Sequence, residues 1–393
     1  MNINILNTKV QNYINTHLKS DVSRLLLKGL PFNTIKPKFI IEQIEAKKRC
    51  EKKLPTWYAT TNIYYPNKLN IAQASSEITA AYKAKLANGH KLIDITGGFG
   101  VDSYYFSKYI THIIHCEIDR LLSEIAKHNF KILQCLNIQC INKNGIDILK
   151  HNHQNFDWLY IDPSRRNNNK QKVFLLADCI PNVETFQNVF LKHAKKVMIK
   201  TSPLLDISAA LKVLKHVKTI HIVAVNNEVK ELIWILERRY IGKVKMITAN
   251  IQKESIQNFE FNIEEEIIAK PNYSKPLTYL YEPNAAILKS GAFNIICNYY
   301  NIFKLHKHTH LYTSKNIINF PGRCFKIEKQ LAFNKKEFAK ENIQKANVTI
   351  RHFPLPVITI RKKLNIKDGG DTYLFFTTTI TNEKTILICS KLK

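Results

Sequence analysis

Acidic residues follow four consecutive apolar segments in the first half of the chain. These acids are Asp94, Glu117, Asp147 and Asp162, and each comes at or just after the end of a segment that is typical of a buried strand. The carboxyl ends of parallel strands share one edge of a sheet, and ligands of such folds bind at that edge. Helix capping accounts for one or two acids in such positions, but not readily for all four. The pattern therefore predicts a site that attracts hydrogen-bond donors or positive charge on one ligand.

A glycine-rich turn follows the first of these segments, with the sequence Asp94-Ile95-Thr96-Gly97-Gly98-Phe99-Gly100-Val101-Asp102. Glycines after a strand let the backbone turn tightly and approach a ligand closely. Ser103 stands where the dinucleotide fingerprint G-x-G-x-x-G has its third glycine. Because Asp94 would repel a pyrophosphate and attract an amine, the turn favours a ligand that carries positive charge and no phosphate.

Two of the later acids are suited to a nucleoside. Glu117 can accept hydrogen bonds from both hydroxyls of a ribose, and Asp147 can accept one from an exocyclic adenine amine. The ligand implied is a nucleoside with a positive charge. S-adenosylmethionine meets that description through its sulfonium and ammonium groups, whereas a nicotinamide dinucleotide does not.

The elements that must position these acids alternate between strand and helix from residue 91 to about residue 250. Short apolar segments are predicted as strands at 91–95, 112–116, 138–141, 158–161, 196–199, 219–225 and 244–251. Amphipathic helical stretches separate them, for example the one that carries Ile118, Leu121, Leu122 and Ile125. This alternation predicts a parallel sheet that helices cover on both faces.

The length of 393 residues suggests two or three domains. Residues 1–55 show helical periodicity, and the acidic run Glu264-Glu265-Glu266, followed by Lys270-Pro271, indicates a boundary after the alternating region. The predicted division is an N-terminal helical region at 1–70, a ligand-binding α/β domain at 71–255 and a smaller mixed α/β region from about residue 272 onwards.

The charge of the chain is strongly basic, because 59 Lys and Arg residues against 31 Asp and Glu residues give a net charge of +28. Such a balance is expected of a protein that meets phosphates, so RNA is the predicted partner. The competing explanation is base composition. The basic residues are mostly Lys, Asn and Ile are abundant, and the excess is spread over the whole chain, as an AT-rich genome would produce.

Other classes of protein find little support in the sequence. The eight cysteines form no CxxC pair, so zinc and thioredoxin-type chemistry are not indicated and reduced thiols are expected. No apolar run approaches the ~18 residues of a membrane helix, and the start lacks the pattern of a secretory signal. A cytoplasmic protein without a membrane partner is expected. His306-x-His308-x-His310 would share a face on a strand, but no carboxylate or Cys is spaced to complete a metal site, and no metal is expected.

Residues 91–165 resemble the motif series of class I S-adenosylmethionine-dependent methyltransferases, namely Asp94…Gly98-x-Gly100, Glu117, Asp147 and Asp162-Pro163. Thr96 stands at the first glycine position of the usual pattern. A wider set of stretches resembles the bacterial methyltransferases that carry a C-terminal THUMP-like domain. These stretches are Ser75-Ser76-Glu77, Asp94–Asp102, Asp162–Arg166, Lys200-Thr201-Ser202-Pro203, Ala224-Val225-Asn226-Asn227-Glu228 and Asp368-Gly369-Gly370-Asp371.

This resemblance implies a fold and a partner. The fold is an α/β, Rossmann-like class I methyltransferase sheet with an N-terminal helical region and a small C-terminal α+β domain. That domain would be ferredoxin-like at 272–318 and THUMP-like at 319–393. Because THUMP domains recruit structured RNA, the resemblance also implies RNA modification, with tRNA or rRNA as the partner.

The resemblance also implies roles for individual residues. The cofactor S-adenosylmethionine would be bound by Asp94, Thr96, Gly97, Gly98, Gly100, Asp102, Glu117, Asp147 and Asp162. Asp162-Pro163 is similar to the [Asn/Asp]-Pro-Pro-aromatic motif of amino-directed methyltransferases, in which the polar side chain and a backbone carbonyl hold the target amine. Here Ser164 replaces the second proline and Arg165 the aromatic residue. The expected catalytic residues are Asp162, Pro163 and Arg165, and the expected substrate contacts are Arg165, Arg166, Lys200 and Ser202.

Three classes of function remain open at this point. The favoured one is a methyltransferase that acts on a base in structured RNA, with an exocyclic amine as the preferred target. The second is a methyltransferase for a small molecule or a protein, with the C-terminal domain as a lid or dimerisation element. The third, a non-catalytic RNA-binding protein, is disfavoured because the four strand-end acids are intact. Since no Cys follows Asp162 closely, covalent 5-methylpyrimidine chemistry is disfavoured as well.

Overall fold

The computed structural model of the chain describes residues 1–151, 155–165 and 175–392, and for Arg165 the backbone alone. The helices are α1 (Thr8–Thr16), α2 (Val22–Lys28), α3 (Pro37–Lys53), α4 (Pro55–Ala59), α5 (Lys68–Gln73), α6 (Glu77–Leu86), α7 (Val101–Phe106), α8 (Arg120–Ile132), α9 (Gly145–His151), α10 (Val183–His193), α11 (Ile207–Val213), α12 (Ile263–Ile268), α13 (Ala285–Ser290), α14 (Ile295–Tyr300), α15 (Lys335–Ala339) and α16 (Val357–Leu364). The strands are β1 (Gly89–Asp94), β2 (Ile110–Cys116), β3 (Ile138–Ile141), β4 (Phe156–Ile161), β5 (Ser164–Arg165), β6 (Cys179–Ile180), β7 (Ala194–Thr201), β8 (Val217–Val225), β9 (Glu228–Glu237), β10 (Lys245–Ile251), β11 (Ile256–Asn262), β12 (Tyr279–Pro283), β13 (Phe303–Lys304), β14 (Tyr312–Ser314), β15 (Gly322–Ala332), β16 (Lys345–Arg351), β17 (Lys367–Thr378) and β18 (Lys384–Lys391).

These elements form two compact units. The first comprises Met1–Lys218 and Leu232–Ile241, and the second comprises Thr219–Glu231 and Gly242–Lys393. The finer division of the chain at residues 70, 255 and 318 stays a prediction. Within the described part of the chain, no helix combines the length and the apolar character that crossing a membrane requires.

A sheet of mainly parallel strands forms the centre of the first unit. Its strands lie in the order β3-β2-β1-β4-β7-β9, and every neighbouring pair is parallel except β7 and β9. The middle strands are apolar on both faces, as strands covered on both sides must be, and Ile93, Leu159 and Val197 are fully buried. The α/β fold class predicted from the sequence is confirmed. The sequence-based prediction missed β9, whose residues from Leu232 onwards pair with β7.

Buried side-chain-to-backbone hydrogen bonds link helix α3 of the N-terminal region to helix α8 through the segment at Tyr64 and Tyr65. Gln43 on α3 donates to the carbonyl of Tyr65 and accepts from its N–H, at 2.7 and 2.9 Å. Asn129 on α8 makes the same reciprocal pair with the backbone of Tyr64, at 2.9 Å each. Satisfying buried backbone groups in this way fixes the segment before α5 without regular structure. The predicted N-terminal helical region is therefore confirmed.

The second unit contains a seven-stranded sheet with the order β13-β14-β12-β15-β18-β17-β16. Apolar side chains pack on it in two clusters, one around Phe325 and Phe375 and the other around Ile360 and Phe376. β8 and β10 pair in parallel in the same unit, and β10 pairs antiparallel with β11. Because helices α13 to α16 are interspersed among the strands of the sheet, the predicted C-terminal α+β domain is confirmed.

Candidate active site

The turn after β1 is shaped by three glycines that serve different purposes. A Cβ on Gly97 would lie 2.3 Å from the His115 ring, and one on Gly100 would lie 2.4 Å from the Phe130 ring, so both positions are closed by packing. Gly98 has φ +59° and no neighbouring atom nearer than 3.8 Å to a built Cβ. Gly98 therefore lies on the open side of the turn, where a ligand can approach the backbone.

Asp94 lies beneath this turn and does not face the open side. Its carboxyl group is 1% exposed. It accepts hydrogen bonds from the Thr96 N–H at 3.1 Å and from the Ser103 hydroxyl at 2.7 Å. Burial raises the pKa of Asp94 to about 7, against the opposing effect of these two hydrogen bonds. Asp94 thus holds the conformation of the glycine turn from below, and both of its oxygens are already engaged by the chain.

Ser103 extends this contact to a fully buried histidine. The Ser103 hydroxyl lies 3.0 Å from Nδ1 of His115. Burial lowers the pKa of His115 to about 4, so the ring is neutral near pH 7. While Asp94 is ionised and the serine donates to it, the Ser103 oxygen can accept a hydrogen bond from a proton on Nδ1 of His115. The chain Asp94–Ser103–His115 was not foreseen from the sequence, where Ser103 was noted only as the residue that breaks the dinucleotide fingerprint.

Glu117 borders the open side of the turn. Its two carboxylate oxygens accept from the Gly98 N–H at 2.8 Å and from the Asp119 N–H at 2.7 Å. Each oxygen retains capacity for another donor, because a carboxylate offers about four lone-pair sites. Next to it, the side chain of Ile118 is 71% exposed, although it is apolar. A half-buried carboxylate beside an exposed apolar side chain suits a sugar that carries a flat base.

Asp147 is exposed in the first turn of α9, after β3. Two residues earlier, a Cβ on Gly145 would lie 2.5 Å from Cβ of Ile95 and 2.6 Å from its carbonyl oxygen. The start of α9 therefore packs directly against the residue after β1. This close approach brings the backbone before Asp147 to the glycine turn, as the strand-end pattern predicted.

Asp102 belongs to a buried polar network. Oδ1 lies 3.1 Å from the ammonium of Lys83, and Oδ2 accepts from the hydroxyls of Ser75 and Tyr160 at 2.8 and 2.9 Å. Burial acts to raise the pKa of Asp102, but Lys83 and Lys200 outweigh it, so the pKa lies below its usual value. The network ties the segment before α6 to the glycine turn, so Ser75 and Lys83 support the turn from the helical side.

Asp162 follows β4 and is bound through its backbone and its side chain. Its N–H donates to the Thr96 hydroxyl at 2.7 Å. Its carboxylate, 31% exposed, accepts a hydrogen bond from the ammonium of Lys200, whose side chain is 13% exposed. Pro163, the next residue, is buried. The structure therefore brings Thr96, Asp162 and Lys200 together at the ends of three adjacent strands.

The structure describes only some of the other residues that are predicted to contact the substrate. Ser202 is half-buried just after β7, and its hydroxyl accepts from the Leu204 N–H at 3.3 Å. The backbone of Arg165 pairs with Cys179 in the short β5–β6 ladder. The side chain of Arg165 and the whole of Arg166 lie outside the described residues.

The cysteines and the histidine motif do not add a reactive centre. Burial raises the pKa of Cys116 and that of Cys297 to about 12, so both thiols are protonated near pH 7 and are poor nucleophiles. His310 stacks on Phe293 with the ring centroids 3.7 Å apart, whereas His306 stacks on His352. The two histidines therefore do not share a strand face. Within residues 1–151, 155–165 and 175–392, no group of three or more His, Cys, Asp or Glu side chains could hold a metal ion.

Comparisons with known proteins agree with the predicted Rossmann-like methyltransferase fold and with the predicted THUMP-like domain at the C-terminus. Residues 279–321 match a family model described as a ferredoxin-like domain, and residues 322–391 match one described as THUMP domain-like. The whole chain is similar to the crystal structure of a putative methyltransferase from Porphyromonas gingivalis W83. That similarity has a TM-score of 0.88 and 29% sequence identity, and it covers 100% of this chain and 99% of the other.

Partial similarities extend to two further proteins. A putative methyltransferase from Streptococcus mutans, crystallised with SAH, has 14% identity and a TM-score of 0.31, covering 41% of this chain and 96% of the other. The 16S rRNA N2 G1207 methyltransferase of Thermus thermophilus, in complex with AdoMet and guanosine, has 12% identity and a TM-score of 0.32, covering 44% of each chain. Similarity at this level says nothing about the substrate of this chain. A search of the curated proteins found no match.

Proposed function

We propose that the protein is a cytoplasmic S-adenosylmethionine-dependent methyltransferase that methylates a base in structured RNA, at an exocyclic amine. The observation that carries the proposal is the geometry around Gly98. There the backbone turns with positive φ, the nearest described atom to a Cβ built on Gly98 is the Thr96 carbonyl oxygen at 3.8 Å, and the Glu117 carboxylate is fixed beside it. The full-length similarity to the Porphyromonas gingivalis protein, described as a putative methyltransferase, supports the same function.

The residues present fit this cofactor on grounds of shape and charge. A side chain at position 98 would fill the space above the turn, and Gly98 leaves it open. The two oxygens of Glu117 can accept from two vicinal hydroxyls in addition to their backbone donors. Ile118 offers an apolar surface to the adenine, and Asp147 offers a carboxylate to its amine. Asp94 contributes through the conformation of the turn, so its expected role in cofactor binding becomes an indirect one.

When bound, the cofactor would supply a methyl group on a sulfonium: an aligned amine nitrogen would bond to the methyl carbon as S-adenosylhomocysteine leaves as a neutral thioether, and the amine would lose one proton. The task of the chain is therefore alignment and the exclusion of competing orientations. Asp162 can accept a hydrogen bond from the N–H of a target amine with its remaining lone pairs. Lys200 keeps the carboxylate beside the ends of β1 and β7. In this proposal Lys200 and Ser202 border the substrate near Asp162, and Arg165 and Arg166 contact its phosphates.

The preference for RNA rests on charge and on the THUMP domain-like match. Two lysines of α3 have structural contacts: Lys47 is buried against Asn15, and Lys53 donates to two backbone carbonyls. Other basic side chains of α3 are exposed. In the second unit, exposed lysines lie on helices α15 and α16, namely Lys335, Lys336, Lys362 and Lys363. Such side chains position a nucleic acid without selecting its sequence.

The test is transfer of a tritiated methyl group from S-adenosylmethionine by the full chain. One assay offers bulk RNA from cells in which the gene has been deleted, and a parallel assay offers the protein and small-molecule fractions of the same cells. The proposal predicts nuclease-sensitive label in the RNA, and no label above background with Asp162→Ala. Label confined to the protein or small-molecule fraction would overturn the RNA assignment and support the alternative substrate class. The absence of both cofactor binding and label would overturn the enzyme assignment.

A further inference from the structure

Three strand ends converge on Asp162. In the sheet, β1 lies between β2 and β4, and β4 lies between β1 and β7. The pairings Asp94↔Tyr160 and Ile161↔Ile199 place the residues after these strands side by side. Thr96 comes from the β1 end and Lys200 from the β7 end, so Asp162 is flanked by one side chain from each neighbouring strand.

Thr96 fixes the backbone of Asp162. The Asp162 N–H donates to the Thr96 hydroxyl at 2.7 Å, and the Ile95 N–H donates to the Tyr160 carbonyl at 3.1 Å, so β1 and β4 stay joined beyond the last ladder pair. A glycine, the usual residue at position 96 in the motif, has no hydroxyl and could not accept this bond. The contact therefore depends on the hydroxyl at position 96.

Lys200 fixes the side chain of Asp162. Its ammonium donates to Oδ2 of the carboxylate and lies largely out of solvent. A charge-assisted contact of this kind restrains the carboxylate more than a neutral hydrogen bond does. Among the described residues no hydrogen bond engages Oδ1, so this oxygen is the one available to a donor on a ligand.

We infer that Thr96 and Lys200 are positioning residues of the reaction, which act through Asp162 and together present its Oδ1 to the N–H of the target amine. The inference rests on the proposed function. It changes the expected role of Lys200 from direct substrate contact to control of a neighbouring carboxylate, and it gives a purpose to the departure from glycine at Thr96. The Thr96 hydroxyl and the Lys200 ammonium both contact Asp162, and only the backbone carbonyl of Thr96 approaches Gly98, so we expect neither side chain to be needed for cofactor affinity.

The activity test uses the full chain with tritiated S-adenosylmethionine and bulk RNA from cells lacking the gene. Lys200→Met should lower kcat about 10- to 100-fold, and Thr96→Val about 3- to 10-fold, with KM for RNA and Kd for S-adenosylhomocysteine within about twofold. Lys200→Arg and Thr96→Ser should recover most of the rate. Because both act through Asp162, the double variant should lose less than the product of the single losses.

The same strand pair supplies a matched control. At the opposite end of β4 and β7, Lys195 makes an ion pair with Asp157 at 2.8 Å, and its side chain is 71% exposed. Lys195→Met removes a lysine–aspartate pair between the same two strands but far along them from Asp162. Its kcat should match the parent. An equal loss of rate in Lys195→Met and Lys200→Met would show that both act through sheet stability and would overturn the inference.

A second measurement needs no substrate. Hydrogen exchange at the Asp162 amide, followed by NMR or by mass spectrometry of the peptide that contains it, should be at least about fivefold faster in Thr96→Val than in the parent or Thr96→Ser. Unchanged exchange overturns the inference whatever the enzyme methylates. Faster exchange in a protein that labels no RNA would instead leave the positioning intact and count against the proposed substrate.

Discussion

Replacing Glu117 by Ala tests the proposed nucleoside subsite. The carboxylate accepts from the Gly98 and Asp119 N–H groups at 2.8 and 2.7 Å, and it would accept from both hydroxyls of a bound ribose. Hydrogen bonds to a charged group contribute about 1.5–3 kcal/mol, and each ~1.4 kcal/mol is tenfold in affinity. The Kd for S-adenosylhomocysteine should therefore rise roughly 10- to 150-fold.

Isothermal titration calorimetry on the full chain measures this Kd, with urea unfolding to show that the variant is folded. Glu124→Ala is the matched control, because Glu124 is an acid on α8 whose carboxylate accepts from Arg120 and from the amino terminus, both at 3.1 Å. Its Kd should stay within about twofold of the parent. A folded Glu117→Ala variant that binds as tightly as the parent would refute the assignment of Glu117 to the ribose.

Three further predictions separate stability, proton linkage and RNA binding. Gly98→Ala should lower the unfolding free energy by only ~1–2 kcal/mol, because of its positive φ, yet it should weaken S-adenosylhomocysteine binding. Gly100→Ala would place a Cβ 2.4 Å from Phe130 and should lower the unfolding free energy by roughly 2–5 kcal/mol. Urea unfolding measures the stability of both variants, and calorimetry measures their ligand affinity. The raised pKa of Asp94, about 7, means that the native state holds this proton more tightly than the unfolded chain, so the Asp94 contribution to stability falls as pH rises from about 4 to about 7. Asp94→Asn should remove this pH dependence. In urea unfolding, the stability of the variant relative to the parent should therefore increase towards pH 7. Parallel curves of stability against pH would contradict the burial argument. Changing Lys335, Lys336, Lys362 and Lys363 together to Glu should weaken RNA retention while cofactor affinity stays the same. The salt dependence of RNA retention should become flatter, by ~0.7 in slope for each phosphate of single-stranded RNA that is no longer neutralised. An unchanged slope would favour base composition as the origin of these lysines.

Periodicity predicted the order of the strands in the chain and the acids at their ends, because burial on both faces leaves a clear apolar pattern. It missed β9, which starts after the turn at Asn226 and Asn227, where φ is +49° and +65°. Two consecutive positive φ values are typical of a tight hairpin turn, so an Asn-Asn pair between apolar segments was the available signal. The antiparallel pairing of β9 with β7 then follows from a reversal that strand–helix alternation does not predict.

The direction of each carboxylate could not be predicted from spacing. Asp94 and Glu117 both end strands, yet Asp94 is turned inward by Ser103 and Thr96 while Glu117 borders the open turn. These partners come from other segments, and a single sequence does not show which hydroxyl meets which acid. The basic run on α3 shows the same limit, because Lys47 is buried although its neighbours Lys48 and Arg49 are exposed.

The most direct test of the proposed cofactor site is a crystal structure of the full chain with S-adenosylhomocysteine. We expect the ribose hydroxyls within hydrogen-bond distance of the Glu117 carboxylate, the adenine against Ile118 and near Asp147, and the ligand backbone passing over Gly98. The sulfur should lie towards Asp162. A ligand bound elsewhere on the chain, or saturating ligand that leaves the space above Gly98 empty, would contradict the proposed site.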